Sequence, residues 1–514
     1  MTVPGPELDV RAAADLRALL DRAVDVYGDD EEAAGRLRHT RRRLDEPLRV
    51  ALVGRVKAGK STLLNAMVGA RIAPTDAGEC TRVVAHYRYG VRPQVVLHDI
   101  AGEAQSLPVR RSGGGLELDL AGTPVERAAY LVVDWPAVGL AAATLIDTPG
   151  IASLTTEASA RTESLVQTGS EVPGPDAVVF LTRQMQAEDV AFLTAFQAAT
   201  GAAEVHTTTI TVLSRADEIA SGRLDALEAA RAVASRMAED SVVRAVSDTV
   251  VPVAGLLALA ARTLRHGDFV ALRSVAQAQP DDLQTLLLSA DRFSRPDAPT
   301  AVSRAVRVSL LERLGLFGIR LSLALIRAGV ADAQSLAEEL ERRSGLAELQ
   351  RLIAVHFTGR GTRIKAATAL RTLESVLRER PRVGDDELWG ELERLRLASP
   401  QLGELALLAR LRGADGLLPP PLLPEAQRLL GADGDSPTAR LGLPDDASDD
   451  VVWVAASQVI DRWRAAADPL APRPTLDAIE TVVQCCELVL AGIDQRRSGS
   501  DVPAQPGARG ASEQ

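Results

Sequence analysis

Arg49-Val-Ala-Leu-Val53 runs into Gly54-Arg-Val-Lys-Ala-Gly59-Lys60-Ser61-Thr62, and then into Leu63-Leu-Asn-Ala-Met-Val-Gly69. A short apolar run, a glycine-bracketed loop and an apolar run at helical spacing predict strand, loop and helix in that order. Two glycines with four residues between them, followed by Lys and Ser, fit a loop that wraps phosphates. Glycines let the main-chain amides turn inward, and the helix N-terminus adds partial positive charge. Lys60 supplies a slim ammonium that reaches β- and γ-phosphates, where a planar guanidinium fits poorly. Ser61 offers a hydroxyl to Mg2+. The candidate nucleotide contacts here are Gly54, Arg55, Val56, Lys57, Ala58, Gly59, Lys60, Ser61 and Thr62.

Composition sharpens this reading. The chain has 514 residues and 58 basic side chains, yet Lys57, Lys60 and Lys365 are its only lysines and Asn65 its only asparagine. Two of those lysines and the asparagine fall within nine residues of one another. A net charge of −11 argues against a general binder of nucleic acid or anionic lipid, so no nucleic-acid partner is expected. Cys80, Cys485 and Cys486 make no disulfide framework, and the six histidines show no ligand spacing. The N-terminus has no signal pattern, and no apolar run is long enough to span a bilayer. The expected location is the cytoplasm, up to peripheral contact with the inner face of the plasma membrane.

Apolar runs at 83–89, 94–99, 130–135, 143–147, 176–182, 207–214 and 249–253 alternate with helical stretches such as 61–68, 187–200 and 223–238. That alternation predicts an α/β fold with a largely parallel sheet. Residues 101–127, with Ser112-Gly-Gly-Gly115, read as an irregular excursion. Past residue 268 the strand signal ends, and Leu/Ala/Arg/Glu-rich segments at 301–343, 344–380, 386–412, 425–432, 449–467 and 473–496 predict a helical bundle. The expected organisation is N-terminal helices 1–46, a nucleotide-binding domain 47–268, a helical neck and trunk 269–496 and a disordered tail 497–514.

Two further motifs follow the loop. In Leu145-Ile-Asp147-Thr-Pro-Gly150, Asp147 is placed to hold Mg2+ through water and the Gly150 amide to meet a γ-phosphate. Thr211-Val-Leu-Ser214-Arg215-Ala-Asp217 resembles the guanine-reading [N/T]-K-x-D motif of GTPases, with Ser214 for Asn/Thr and Arg215 for Lys. A carboxylate at Asp217 accepts both guanine N–H groups, and Arg215 can stack on a base. Val253-Ala254-Gly255 stands where the last guanine loop belongs. GTP with Mg2+ is therefore expected over ATP.

The order and spacing of these motifs resemble the dynamin-like large GTPases. Pro74-Thr-Asp-Ala-Gly-Glu-Cys-Thr81-Arg82 looks like the dynamin switch I, which implies that Thr81 closes over Mg2+ and the γ-phosphate. The runs APTDAGECTR, SRADEI (214–219), VPVAGLLALAARTLR (251–265) and LLERLGLFGIR (310–320) are similar to the isoniazid-inducible bacterial dynamin-like proteins of the IniC type. The resemblance implies a P-loop GTPase domain with a mainly parallel sheet, plus an all-α neck and trunk that gathers the N-terminal helices. It also implies GTP hydrolysis, homo- or hetero-association through GTPase heads, a dynamin-like paralogue as partner, and membrane remodelling or maintenance. Val56 and Lys57 stand where dynamins place Gln and Ser, and Ile151 follows the DTPG in place of a water-positioning glutamine. Lys57 is thus a catalytic candidate beside Lys60 and Thr81, in the role that dynamins give to a monovalent cation. The apolar loop 416–424 (Gly-Leu-Leu-Pro-Pro-Pro-Leu-Leu-Pro) reads as a linker whose leucines pack on the bundle, with a lipid-contacting tip as the alternative.

Overall fold

Strands that carry apolar side chains on both sides need cover on both faces, and the protein builds its sheet around them. The structure is a computed structural model describing residues 10–74, 83–112, 115–117, 119–120, 122–149, 174–199, 208–413 and 416–500. Its strands are β1 (Leu48–Gly54), β2 (Val84–Tyr89), β3 (Gln94–Asp99), β4 (Ala104–Leu107), β5 (Arg110–Ser112), β6 (Gly115–Glu117), β7 (Ala128–Trp135), β8 (Ala143–Asp147), β9 (Ala177–Thr182), β10 (Thr209–Ser214) and β11 (Thr249–Val253). Nine of them form one sheet in the order β11-β10-β9-β1-β8-β2-β7-β3-β4. The run β11 to β8 is parallel throughout. Beyond it β2 turns antiparallel to β8 while staying parallel to β7, and β3 and β4 continue antiparallel. Every residue of β9 and β10 is buried, as central parallel strands require.

The helices are α1 (Val10–Val26), α2 (Glu31–Arg43), α3 (Lys60–Val68), α4 (Ala187–Ala199), α5 (Ala226–Glu239), α6 (Ser241–Val246), α7 (Gly255–Arg262), α8 (His266–Ala276), α9 (Pro280–Leu286), α10 (Ala290–Phe293), α11 (Arg304–Arg327), α12 (Ala333–Arg343), α13 (Leu346–His356), α14 (Gly361–Glu379), α15 (Asp385–Ala398), α16 (Pro400–Gly413), α17 (Leu423–Leu429), α18 (Pro437–Leu441), α19 (Asp449–Ala465) and α20 (Arg473–Ser500). On one face of the sheet Val50, Leu52, Leu145, Val179 and Val212 pack with Leu63 and Leu64 of α3 and with Leu349 and Ile353 of α13. On the other, Ala51, Val53, Ile146, Val178 and Phe180 pack with Leu193 and Phe196 of α4 and Val246 of α6. The site thus sits on a sheet clamped from both sides.

Contacts divide the chain into two compact units, Leu16–Trp389 and Met1–Asp15 with Gly390–Gln514. In the first, helices α8 to α12 share a core with α5 and α7, so this unit runs well past residue 268. There α2 lies along α14, tied by Arg36 to Glu379 at 2.7 Å and to Ser375 at 3.0 Å. Lys365 of α14 donates from Nζ to the carbonyls of Leu44 (2.9 Å) and Glu46 (2.6 Å), clasping the turn that leads from α2 into β1. In the second unit α19 and α20 form an antiparallel pair, packed with α16 and α17.

The excursion expected at 101–127 is more regular than its composition suggests. It contains β4 and the hairpin β5–β6, whose Gly115 bridges to Arg71. The segment 301–343 is two helices, with Gly315 of α11 in a left-handed conformation at φ 66°. Helix α20 continues past Arg496 to Ser500. Leu417 and Leu418 are buried in the core of the second unit, with Leu422 and Leu423 packed against it, which is the linker form of the 416–424 loop and not a bare apolar tip. Among the described residues no helix is long and apolar enough to cross a membrane.

Candidate nucleotide site

The loop between β1 and α3 begins where β1 meets β9. A Cβ at Gly54 would lie 2.4 Å from the Leu181 carbonyl, so this position demands glycine by close approach. Gly59, at φ 97°, turns the chain into α3. Lys60 is buried, and its Nζ donates to the carbonyls of Gly54 (3.0 Å) and Arg55 (3.2 Å). Burial pulls the Lys60 ammonium below its usual range, opposed by Asp147. An incoming phosphate anion restores what that burial removes.

Ser61 donates to Asp147 Oδ2 at 2.7 Å, which brings together two residues 86 positions apart in the chain. Asp147 Oδ1 is buried and has no hydrogen-bond partner among the described residues. Burial raises the Asp147 carboxyl, with Lys60 and Ser61 acting the other way. A hydroxyl beside a carboxylate with an unmatched buried oxygen is a hard-oxygen donor set of the kind Mg2+ takes, so the residues fit that ion. Thr148 anchors the turn after β8 by donating to the Leu52 carbonyl at 2.8 Å. Thr81 and Gly150 lie outside the described residues.

Beside the loop opens a cleft of about 200 Å³ lined by Ala58, Gly59, Thr62, Leu63, Leu181, Val212, Ser214, Arg215, Asp217, Glu218, Val253, Gly255 and Leu256. The predicted phosphate loop and base motif therefore meet in one cavity. Burial raises the Asp217 carboxyl, while its own hydrogen bonding, Arg215 and Arg183 lower it. Arg215 adopts φ 52° and donates from Nη2 to the Lys57 carbonyl at 2.8 Å and from Nη1 to Glu218 at 2.8 Å, which ties the base loop to the phosphate loop. Ser214 is buried, and its hydroxyl donates to the Thr182 carbonyl at 3.3 Å.

The remaining sequence candidates separate. Val56 and Lys57 are exposed, and Lys57 holds the left-handed conformation at φ 64°, which costs a non-glycine residue strain. Arg55 is drawn to the first turn of α4, with Nη2 on Glu188 at 2.7 Å and Nε on Asp189 at 3.2 Å. Ala254 is fully buried, and its N–H donates to the Ser344 carbonyl at 2.9 Å; its neighbours Val253 and Gly255 face the cleft.

Two contributors were not assigned from the sequence. Asn65, fully buried on α3, accepts at Oδ1 from Ile72 N–H (2.7 Å) and Ala73 N–H (2.8 Å) and donates from Nδ2 to the Ala73 carbonyl (2.8 Å). It pins the chain just ahead of the expected switch I to the helix behind the phosphate loop. Its rarity was the only signal. Gly345 sits at φ 82° where a Cβ would lie 2.1 Å from the Pro252 carbonyl, so the α12–α13 junction presses on the strand that ends at the cleft.

Residues 50–110, which hold the loop and α3, match the model of the Dynamin family. The isoniazid-induced protein IniC of Mycobacterium tuberculosis is 40% identical over 456 residues, covering 88% of this chain and 92% of that protein. The chain is a bacterial dynamin-like protein of the IniC type. A bacterial dynamin-like protein of Nostoc punctiforme is 42% identical over 50 residues, 10% of this chain and 7% of its own. A solved oligomerised bacterial dynamin pair aligns with 97% of this bacterial dynamin-like protein and 77% of that chain, at 12% identity and a TM-score of 0.31. The assignment rests on the sequence relatives.

Proposed function

We propose that this protein binds Mg–GTP and hydrolyses it to GDP and phosphate, coupling the cycle to association between GTPase heads and to membrane remodelling or maintenance. The observation that carries the reading is the Ser61–Asp147 contact beside the buried Lys60, in the same loop whose Ala58 and Gly59 line a cleft with Asp217. In this reading the amides of the 54–60 loop and the α3 N-terminus cradle the phosphates, and Lys60 leaves the Gly54 and Arg55 carbonyls for the β- and γ-phosphates. Ser61 and Asp147 hold the ion, with Thr81 joining from switch I. When bound, Mg2+ neutralises charge on the phosphoryl oxygens. Asp217 accepts from guanine N1–H and the 2-amino group, and Arg215 covers the base. Phosphoryl transfer needs mainly position and charge, so Lys57 serves as a built-in cation near the β–γ bridge in the absence of a water-positioning glutamine.

Two measurements test this. GTP turnover is expected to rise with protein concentration and with liposomes; ATP turnover equal to that of GTP would overturn the guanine assignment. Lys57→Ala is expected to lower turnover and to regain part of it in K+; unchanged rates with and without K+ would remove Lys57 from catalysis. A second reading, a GTP-dependent partner subunit of a dynamin-like paralogue with little membrane activity of its own, is favoured by the burial of Leu417 and Leu418 in the bundle. Slow, concentration-independent turnover without lipid binding would select it.

A further inference from the structure

Guanine presents two different edges to a protein. N1–H and the 2-amino group donate, whereas O6 and N7 accept. An ionised carboxylate can only accept, so Asp217 is suited to the first edge and useless to the second. The acceptor edge needs donors, and the side chains of the base motif that could supply them already hold other partners. A serine hydroxyl has one hydrogen to give, and Ser214 gives it to the Thr182 carbonyl at 3.3 Å, behind the cleft wall. Arg215 directs Nη1 to Glu218 and Nη2 to the Lys57 carbonyl, both at 2.8 Å. The Ala254 amide is spent on Ser344 at 2.9 Å. The main-chain amides at the start of α7, Gly255 and Leu256, have no partner within their own helix and line the cleft, which provides for O6.

We infer that this pocket selects guanine through its N1–H and 2-amino edge and leaves N7 unread, because the Ser214 hydroxyl is short and already hydrogen-bonded inward. The substrate class is thereby widened to guanosine triphosphates altered at position 7. Ser214 is the specificity-determining residue for that position. The inference rests on the GTP reading above and deepens it.

The test is displacement of a fluorescent guanine nucleotide from the full chain in Mg2+ by GTP, 7-deaza-GTP, ITP and ATP. In 7-deaza-GTP a C–H replaces N7 and the other edge is untouched. GTP and 7-deaza-GTP are expected to bind within about twofold of each other, while ITP, which lacks the 2-amino group, binds about tenfold or more weakly. Ser214→Asn places an amide donor at the same position and is expected to create a preference of roughly three- to tenfold for GTP over 7-deaza-GTP, the worth of one net hydrogen bond. A wild-type protein that already binds 7-deaza-GTP tenfold more weakly than GTP would overturn the inference and leave the GTPase reading standing. Equal binding of ATP and GTP would overturn that reading instead. A folded Ser214→Asn protein with no new preference would remove Ser214 as the determinant.

Discussion

At the scale of single residues, the cleft is held by side chains that have no freedom to be something else. Asn65 closes three hydrogen bonds, with distances of 2.7 to 2.8 Å, inside a fully buried pocket. Asn65→Ala strands the Ala73 N–H and carbonyl and leaves the Ile72 N–H only the Ala70 carbonyl at 3.1 Å, so it is expected to cost about 2–4 kcal/mol by urea denaturation, at about 1–3 kcal/mol per orphaned group. Asp147 gives a pH dependence whose direction is fixed. Its folded-state pKa is raised by burial above 3.8, so without added metal the folded chain holds, between the two values, a proton that the unfolded chain has released. The stability it contributes is full below that value and is lost as pH rises through the raised one. Mg2+ needs the carboxylate and competes with that proton. The Mg2+-stimulated part of GTP affinity is therefore expected to fall as pH drops toward the raised pKa, where an ordinary aspartate is still ionised. Asp147→Asn flattens that profile and weakens Mg2+-dependent binding about tenfold or more, measured by nucleotide displacement at fixed Mg2+.

At the scale of elements, the α12–α13 junction bears on the end of β11. Gly345→Ala brings a Cβ to within 2.1 Å of the Pro252 carbonyl at a left-handed φ, which is expected to cost about 1–3 kcal/mol and to lower GTP affinity by shifting Val253 and Gly255. Thermal denaturation and nucleotide titration on the same variant check both. The core of the sheet was legible because β1, β8, β9, β10 and β11 are short apolar runs bounded by turn residues. The hairpin β5–β6 was not, because Arg110-Arg-Ser112 and Gly115-Leu-Glu117 carry almost no apolar signal and pair through main-chain bonds. That the loop 54–61 and the Ser214–Asp217 turn belong together was readable from residue types, spacing and resemblance, and both contribute to one cleft. The engagement of the Ala254 amide was not, because its partner Ser344 lies 90 residues away and contributes only a carbonyl. Likewise Leu417 and Leu418 look the same in sequence whether they face lipid or core.

At the scale of the molecule, each unit carries its own means of fixing its fold. In the second unit Arg440 is buried among Glu404 at 2.9 Å, Asp435 at 3.3 Å and Cys485 Sγ at 3.5 Å. Burial pulls its guanidinium down, yet Glu404, Cys485 and Asp435 together hold it above the usual value. Burial also pushes the Cys486 thiol up to about 12 and Cys485 well up, so neither is a reactive thiolate. Arg440→Met leaves Glu404 charged in the core and is expected to cost about 3–5 kcal/mol; pairing it with Glu404→Leu recovers at least half, read by chemical denaturation. Composition across the whole chain gains a meaning from two distant clasps. Lys60 and Lys365 each point one ammonium at two main-chain carbonyls, Gly54 and Arg55 for the first, Leu44 and Glu46 for the second. A single tetrahedral nitrogen can serve both oxygens from one point, whereas a planar fork spreads its donors apart. In codon terms, a gene with arginine for lysine almost everywhere acts as a sieve, and two of the three lysines it keeps stand where main-chain carbonyls dictate the side chain.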